Sequence, residues 1–142
     1  MRIITLLSAL TMMLLAGPGT KLEALSSQRP PAQVAQALVD AFNARDIEGI
    51  LKNYHSDSVA RSLSSGEVIL MGHAEIRKKF RSIFERNSKV AVEVINRVVD
   101  EKFVIDREKI TGISEGKKLV SYGTVIYEIS DGLIRKEWYL KQ

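Results

Sequence analysis

Four side chains near the end of the chain could do acid–base chemistry together. Asp131-Gly132 is a strong signal for a two-residue hairpin turn, and strand alternation then places four polar side chains on one face. These side chains are Tyr122, Thr124, Glu137 and Tyr139. A glutamate in a partly apolar cavity becomes a weaker acid, which suits proton transfer, and tyrosines can donate hydrogen bonds to a carbonyl group. The alternative is a salt bridge from Glu137 to a neighbouring basic residue, with tyrosines that only fill space.

Other residue types exclude several further kinds of site. The chain has no Cys, which excludes disulfides, iron–sulfur clusters, thiolate zinc sites and cysteine nucleophiles. Two histidines are too few for a three-histidine metal site. His55 lies at the end of a predicted short helix and His73 at the start of another, and both positions favour a structural role. The sequence therefore predicts neither a metal nor a cofactor.

Length and composition indicate one globular domain. The chain has 142 residues, of which 45% are hydrophobic and 27% are charged. Its net charge is +4, and many of the basic residues fall between 77 and 89. A solvated face of a helix explains them, and nucleic-acid binding is not expected because no aromatic residues alternate with them.

The first 28 residues differ from the rest of the chain. A basic start and an apolar run over 3–16 are followed by the sequence Gly-Pro-Gly at 17–19, which is typical of a secretory signal peptide. A permanent membrane span would need roughly 20 apolar residues. We therefore expect residues 1–28 to be a signal peptide and a short linker. The mature protein is expected to begin between Thr20 and Arg29, and the domain over 29–142 to be exported to the periplasm or the extracellular space.

Hydrophobic periodicity predicts three helices and six strands. The helical stripes are Val34, Leu38 and Phe42; Ile47, Ile50, Leu51 and Tyr54; and Ile76, Phe80, Ile83 and Phe84. Strand patterns cover 59–63, 68–71, 103–112, 119–129 and 134–140, and a further strand begins at Val90. Because helices and strands are segregated, the pattern predicts an α+β fold in which a curved antiparallel sheet packs on three helices.

This order of elements resembles the nuclear-transport-factor-2-like superfamily, which includes ketosteroid isomerases and SnoaL-like polyketide cyclases. The resemblance covers residues 32–141 and rests on three stretches, DIEGIL at 46–51, GHAEI at 72–76 and DGLIRKEWY at 131–139. It implies a cone-shaped domain, in which the sheet and helices enclose a pocket that is open at one end. Enzymes and non-catalytic binding proteins share this fold, so the resemblance alone does not define an activity.

The catalytic residues of ketosteroid isomerases are not carried over. The resemblance places their aspartate proton shuttle at Ser62, their tyrosine at Leu38 and their second aspartate at Thr124. Serine cannot act as a carboxylate base near neutral pH, and leucine donates no hydrogen bond. Steroid isomerisation is therefore not expected. A likeness to limonene epoxide hydrolase rests only on Asp106-Arg107.

The resemblance also indicates which face of the last hairpin points into the cone. The pocket residues that it implies are Ser62, Tyr122, Thr124, Glu137 and Tyr139. The opposite face of the hairpin is more apolar and would need cover, and members of the superfamily are often dimers through the sheet. We therefore expect a homodimer whose interface contains Val125, Ile129, Ile134 and Trp138.

Two functions remain open at this point. The first is an exported, non-catalytic domain that binds a small apolar ligand or a partner in the conical pocket, and the missing isomerase residues favour it. The second is a SnoaL-like enzyme that carries out acid–base proton transfer on a carbonyl compound, with Glu137 as the base.

Overall fold

A computed structural model describes residues 28–141 as three helices and one six-stranded sheet. The helices are α1 (Pro31–Asn43), α2 (Ile47–Leu51) and α3 (Gly72–Arg86), and the strands are β1 (Tyr54–Ser62), β2 (Val68–Met71), β3 (Ala91–Asp100), β4 (Phe103–Ser114), β5 (Lys117–Ser130) and β6 (Leu133–Lys141). The predicted α+β fold is confirmed. The predicted signal peptide lies outside the described residues. Within 28–141, no helix is both long enough and apolar enough to cross a membrane.

The strand order is β2-β1-β6-β5-β4-β3, so β1 and β6, the first and last strands of the chain, are direct neighbours. β1 runs parallel to β6, whereas every other neighbouring pair is antiparallel. The sheet is therefore mixed, whereas the sequence pattern predicted a purely antiparallel sheet. Since β2 and β3 form opposite edges, α3 carries the chain from one edge of the sheet to the other.

Local sequence sets the helix boundaries. Pro31 occupies the first turn of α1, where its missing N–H costs nothing. The Asp46 side chain caps α2 by accepting a hydrogen bond from the backbone N–H of Gly49 at 2.9 Å. Arg45, between these helices, donates to the backbone oxygen of Phe84 at 2.6 Å and so satisfies a carbonyl near the end of α3.

The core lies between the helices and the inner face of the sheet. The predicted stripes on α1 and α3 are confirmed, because Val34, Leu38, Phe42, Ile76, Phe80 and Phe84 are all buried. Tyr54 was predicted on a helix but begins β1, which starts five residues earlier than expected. Its pairing with Ile134 of β6 is a long-range contact that local periodicity does not reveal. His55 accordingly lies in β1 and not at a helix end.

The hairpin between β5 and β6 contains a β-bulge. The predicted turn over 131–132 is present, with positive φ angles of 56° and 70° at its two residues. Beyond the turn, Glu128 pairs with Lys136 because Arg135 is an extra residue on β6. Compared with a hairpin that has no bulge, one extra residue places every later side chain of β6 on the opposite face of the sheet.

The bulge overturns the predicted dimer interface. Val125, Ile129 and Ile134 are at most 3% exposed and belong to the core. They share the inner face of the sheet with Glu137, which pairs with Tyr127. The predicted interface through these three residues is therefore wrong. Trp138, the fourth predicted member, alternates with Glu137 and so points to the outer face.

Candidate functional site

A cavity of about 520 Å³ opens between the helices and the inner face of the sheet. Most of its wall area is apolar. Apolar lining residues include Leu38, Phe42, Phe80, Val90, Ile110 and Val125. This volume and this composition are typical of sites for small molecules.

Two small residues on β5 create space in the cavity wall. Ser121 and Gly123 line the cavity and pair across β4 with Ile110 and Glu108. A Cβ atom built on Gly123 would have its nearest neighbour, the backbone oxygen of Leu140, at 3.7 Å, which is ordinary contact. A larger side chain at Gly123 would therefore fill the space beside Glu108.

Glu137 lies on the inner face of β6 and is 3% exposed. The hydroxyl of Tyr54 donates a hydrogen bond to its Oε2 atom at 2.9 Å. Burial raises the pKa of Glu137 to about 7, although hydrogen bonds from Tyr139 and Tyr54 oppose this effect. Both protonation states are therefore populated near neutral pH, as a general acid or base requires.

Glu108 is a second carboxyl in the cavity, and the sequence analysis missed it. Strand alternation on β4 turns Val104, Asp106 and Glu108 inwards, and the Tyr127 hydroxyl donates to Oε1 of Glu108 at 3.4 Å. Burial raises the pKa of Glu108 to about 7, and the negative charges of Asp106 and Glu137 act in the same direction. Asp106 and Glu108 alternate with Val104 and Ile110 on one face of β4, and two acids at these positions were the signal that could have found it.

Asp106 is fully buried beneath the cavity and is neutralised by Arg97 of β3. The Nε and Nη2 atoms of the guanidinium each lie 2.7 Å from a carboxylate oxygen of Asp106. Arg97 also donates to the Gln36 side chain at 3.0 Å, and this bond ties α1 to the sheet. Because Asp106 is committed to this ion pair and is not among the residues that line the cavity, the likeness to epoxide hydrolase gains no support from it.

Four of the five predicted pocket residues line the cavity, but they form two groups. Glu137 and Tyr139 lie together on the inner face of β6. Tyr122 and Thr124 lie at the rim on β5, beside Arg107. That guanidinium donates to the Thr124 hydroxyl at 3.4 Å and lies 5.6 Å from the centre of the Tyr122 ring.

Ser62 and the two histidines lie outside the cavity lining. The Ser62 hydroxyl accepts a hydrogen bond from the backbone N–H of Ser65 at 3.2 Å, in the turn after β1. The Nε2 atom of His73 donates a hydrogen bond to the backbone oxygen of Tyr54 at 2.9 Å. Among the residues of 28–141, no three His, Asp or Glu side chains are grouped so that they could hold a metal ion.

The raised pKa of Glu137 predicts that the folded protein loses stability as the pH rises. Between about pH 4.5 and 7 the unfolded chain ionises this group while the folded protein keeps it protonated. We expect Glu137→Gln to stabilise the protein by about 2–3 kcal/mol at pH 8, with little effect at pH 4. Denaturant unfolding at both pH values measures this difference.

Glu128 provides a control of opposite sign. Hydrogen bonds from Lys102 and Lys136 lower the pKa of Glu128, so Glu128→Gln should destabilise the protein slightly at pH 8. An equal effect of Glu137→Gln at both pH values would contradict the burial of an ionisable Glu137.

The chain belongs to the SnoaL-like domain family. The family model for a SnoaL-like domain matches residues 35–137, which include both cavity carboxyls, Glu108 and Glu137. The SnoaL-like part of the resemblance is therefore confirmed for this chain. The comparison with curated proteins gives no match.

Several solved structures share the fold at low sequence identity. TerC co-crystallised with polyporic acid is 18% identical, with a TM-score of 0.70 over 80% of this chain and 92% of that one. An LEH-like epoxide hydrolase of M. tuberculosis is 14% identical, with a TM-score of 0.68 over 79% and 82% of the two chains. An uncharacterised cystatin-fold protein from Novosphingobium aromaticivorans is 16% identical, with a TM-score of 0.72 over 80% and 99%. At these identities the likeness shows the fold alone.

Proposed function

We propose that the cavity binds a small, largely apolar carbonyl compound and that Glu137 exchanges a proton with it. One observation carries this proposal: a buried carboxyl with a pKa of about 7 faces an apolar cavity and is held by the hydroxyl of Tyr54. A base of this strength is balanced between taking and returning a proton at neutral pH. The proposal therefore adopts the enzymatic alternative that the sequence left open.

The cavity supplies a group for each part of the reaction. The Glu137 carboxylate takes a proton from the carbon next to the carbonyl, and the electron pair of that C–H bond forms an enolate. The Tyr139 hydroxyl or a protonated Glu108 donates a hydrogen bond to the enolate oxygen, because a neutral carboxylic acid is a donor. Glu137 then returns the proton to the ligand, and the Tyr54 hydroxyl holds the carboxyl in place between the two steps.

A non-catalytic binding protein is the second candidate. Its support is that Glu137 already accepts hydrogen bonds within the protein, while the isomerase positions hold Leu38, Ser62 and Thr124. A fold relative co-crystallised with polyporic acid is consistent with small-molecule binding in this fold. The two candidates share the cavity and differ only in whether a proton moves.

Hydrogen–deuterium exchange on acetophenone separates these candidates. We expect the wild-type protein in D₂O to exchange the methyl protons of this apolar ketone faster than buffer does, as followed by proton NMR. Glu137→Gln should lower the exchange rate by about 10²- to 10⁴-fold while binding persists. Leu133→Ala, outside the cavity lining, is the control. Binding without any exchange above buffer would contradict catalysis and support the binding protein.

We also propose that the domain is exported after removal of its first segment. Support comes from the basic start and the apolar run over 3–16. Intact-mass measurement of protein from its native host should give a chain that begins between Thr20 and Arg29. A soluble form that still carries residues 3–16 would contradict export.

We also propose that the protein forms a homodimer through the outer face of the sheet. Four apolar residues on neighbouring strands are successive cross-strand partners on that face: Val98, Ile105, Ile126 and Trp138. Val98 is 49% exposed, and a second copy could cover this row. The large ring of Trp138 is suited to anchor such an interface.

We expect Ile126→Glu to convert the dimer into monomers, because it places an unpaired charge at the centre of the row. Light scattering at several protein concentrations measures the mass. Ile95→Glu, at a position that is 51% exposed at the irregularity in β3, should leave the dimer intact. A wild-type protein that is monomeric at high concentration would contradict a dimer through the outer face of the sheet.

A further inference from the structure

Two cationic side chains line the cavity on its helical side. Lys79 and Arg86 of α3 are lining residues, and Ile83 lies between them in the lining. The spacing of four and then three residues places all three on one stripe of the helix. The neighbouring stripe with Phe80 and Phe84 packs into the core. The sequence pattern favoured a solvated surface for these basic residues, whereas two of them line the cavity.

The charges of Lys79 and Arg86 are not used in the ion pairs of the described residues. The Nε atom of Arg86 donates to the Ser82 backbone oxygen at 3.2 Å, within its own helix. By contrast, Arg77 on the same helix is paired with Glu48. The two cavity cations are therefore positioned to meet a negative group that comes from elsewhere.

We propose that the natural ligand is an organic acid whose carboxylate binds Lys79 and Arg86 while its apolar body enters the cavity. The inference rests on the proposed function, because it assumes that the cavity is the ligand site and that the far end of the ligand reaches Glu137. It adds the chemical class of the ligand and the direction in which the ligand enters.

The distribution of charge in the cavity fixes that direction. Glu108 and Glu137 of the sheet form the acidic part, and a ligand carboxylate placed beside them would meet two carboxyl groups and no cation among the lining residues of β4 and β6. Lys79 and Arg86 are exposed, so a carboxylate at these residues keeps much of its hydration and binds without a large desolvation cost. The apolar side chains between the two regions, including Phe80, Ile83 and Ile110, fit the body of the ligand. Neutral and cationic analogues lack this contact and should bind more weakly.

Decanoate and decanol test the inference, because they share an apolar chain and differ in charge. We expect isothermal titration calorimetry of the wild-type protein to show decanoate binding about tenfold more tightly than decanol, which is the size of effect that two exposed ion pairs can supply. The double variant Lys79→Gln/Arg86→Gln should lose most of this preference and bind decanol as before. Added salt should weaken decanoate binding only.

Two further variants control for net charge and for location. Arg81→Gln/Lys89→Gln removes the same charge from exposed positions outside the cavity lining, and it should keep the preference for decanoate. Gly123→Leu fills the space beside Glu108 and should weaken both ligands.

The outcomes separate this inference from the proposed function. Equal affinities for decanoate and decanol, or an unchanged preference in Lys79→Gln/Arg86→Gln, would overturn the organic-acid inference, while exchange on acetophenone would still support the proposed function. Decanoate binding that Gly123→Leu leaves unchanged would place the acid outside the cavity and overturn the inference as well.

Discussion

Arg97→Met is expected to lower the free energy of unfolding by about 3–5 kcal/mol at pH 7. The substitution keeps most of the apolar stem but leaves Asp106, whose side chain has no exposed surface, without its partner. An unpaired carboxylate in the core costs far more than the lost attraction alone, because burial has removed its hydration. The variant also loses the bond from Arg97 to Gln36, which holds α1 against the sheet. Denaturant unfolding measures the loss.

Two variants establish that burial causes this effect. Arg77→Met breaks an exposed ion pair with Glu48 and should cost far less than Arg97→Met, because solvent screens the two charges. Adding Asp106→Leu to Arg97→Met removes both charges and should recover much of the stability, since an apolar pair can replace a buried ion pair. Similar small losses for Arg77→Met and Arg97→Met would contradict the buried pairing.

Phe80→Ala is expected to destabilise the protein by about 3–5 kcal/mol. Phe80 is buried at the centre of an aromatic cluster, with ring centres 5.8 Å from Phe42 and 6.4 Å from Phe84. Its removal leaves a void between α1 and α3, next to the wall of the cavity. The loss is measured by denaturant unfolding.

Phe103→Ala serves as the comparison for this prediction. Phe103 is only half-buried, and its ring lies 5.3 Å from the ammonium group of Lys102, so its loss should cost clearly less. A loss below about 1 kcal/mol for Phe80→Ala would show that α3 does not bury this side chain.

Local patterns predicted the elements of the fold because the responsible interactions are close in sequence. The stripes on α1 and α3 follow from helical spacing, and the hairpin turn follows from Asp131-Gly132. The Asp46 cap of α2 is local in the same way, because its partner, Gly49, is three residues away. Each of these features depends on a few neighbouring residues, so a single sequence contains the necessary information.

The composition of the site depended on contacts that local patterns do not encode. Tyr54 reaches Glu137 only because β1 pairs with β6, whose residues are some eighty positions later in the chain. The extra residue Arg135 on β6 places Glu137 on the same face of the sheet as Val125 and Ile129 of β5. Glu137 and Tyr139, which the resemblance placed in the pocket, both line the cavity.

Glu108 was not predicted as a cavity residue, although it stands in a recognised strand. An acid in a charged stretch of a strand, as Glu108 is between Arg107 and Lys109, is usually solvent-exposed, and only the burial of this face of β4 makes it part of the cavity. The combination of two buried carboxyls and three tyrosines costs stability above neutral pH. Such a cost is common where the arrangement of groups serves a function.

A carboxyl-carbon NMR titration of the folded protein tests most directly whether the cavity holds acids that are balanced near neutral pH. We expect Glu108 and Glu137 to titrate together around pH 7, in shared steps because each influences the other. Glu108→Gln and Glu137→Gln should each remove one of these signals and assign the pair. Titration of both groups near pH 4.5, like exposed glutamates, would contradict acid–base chemistry in this cavity.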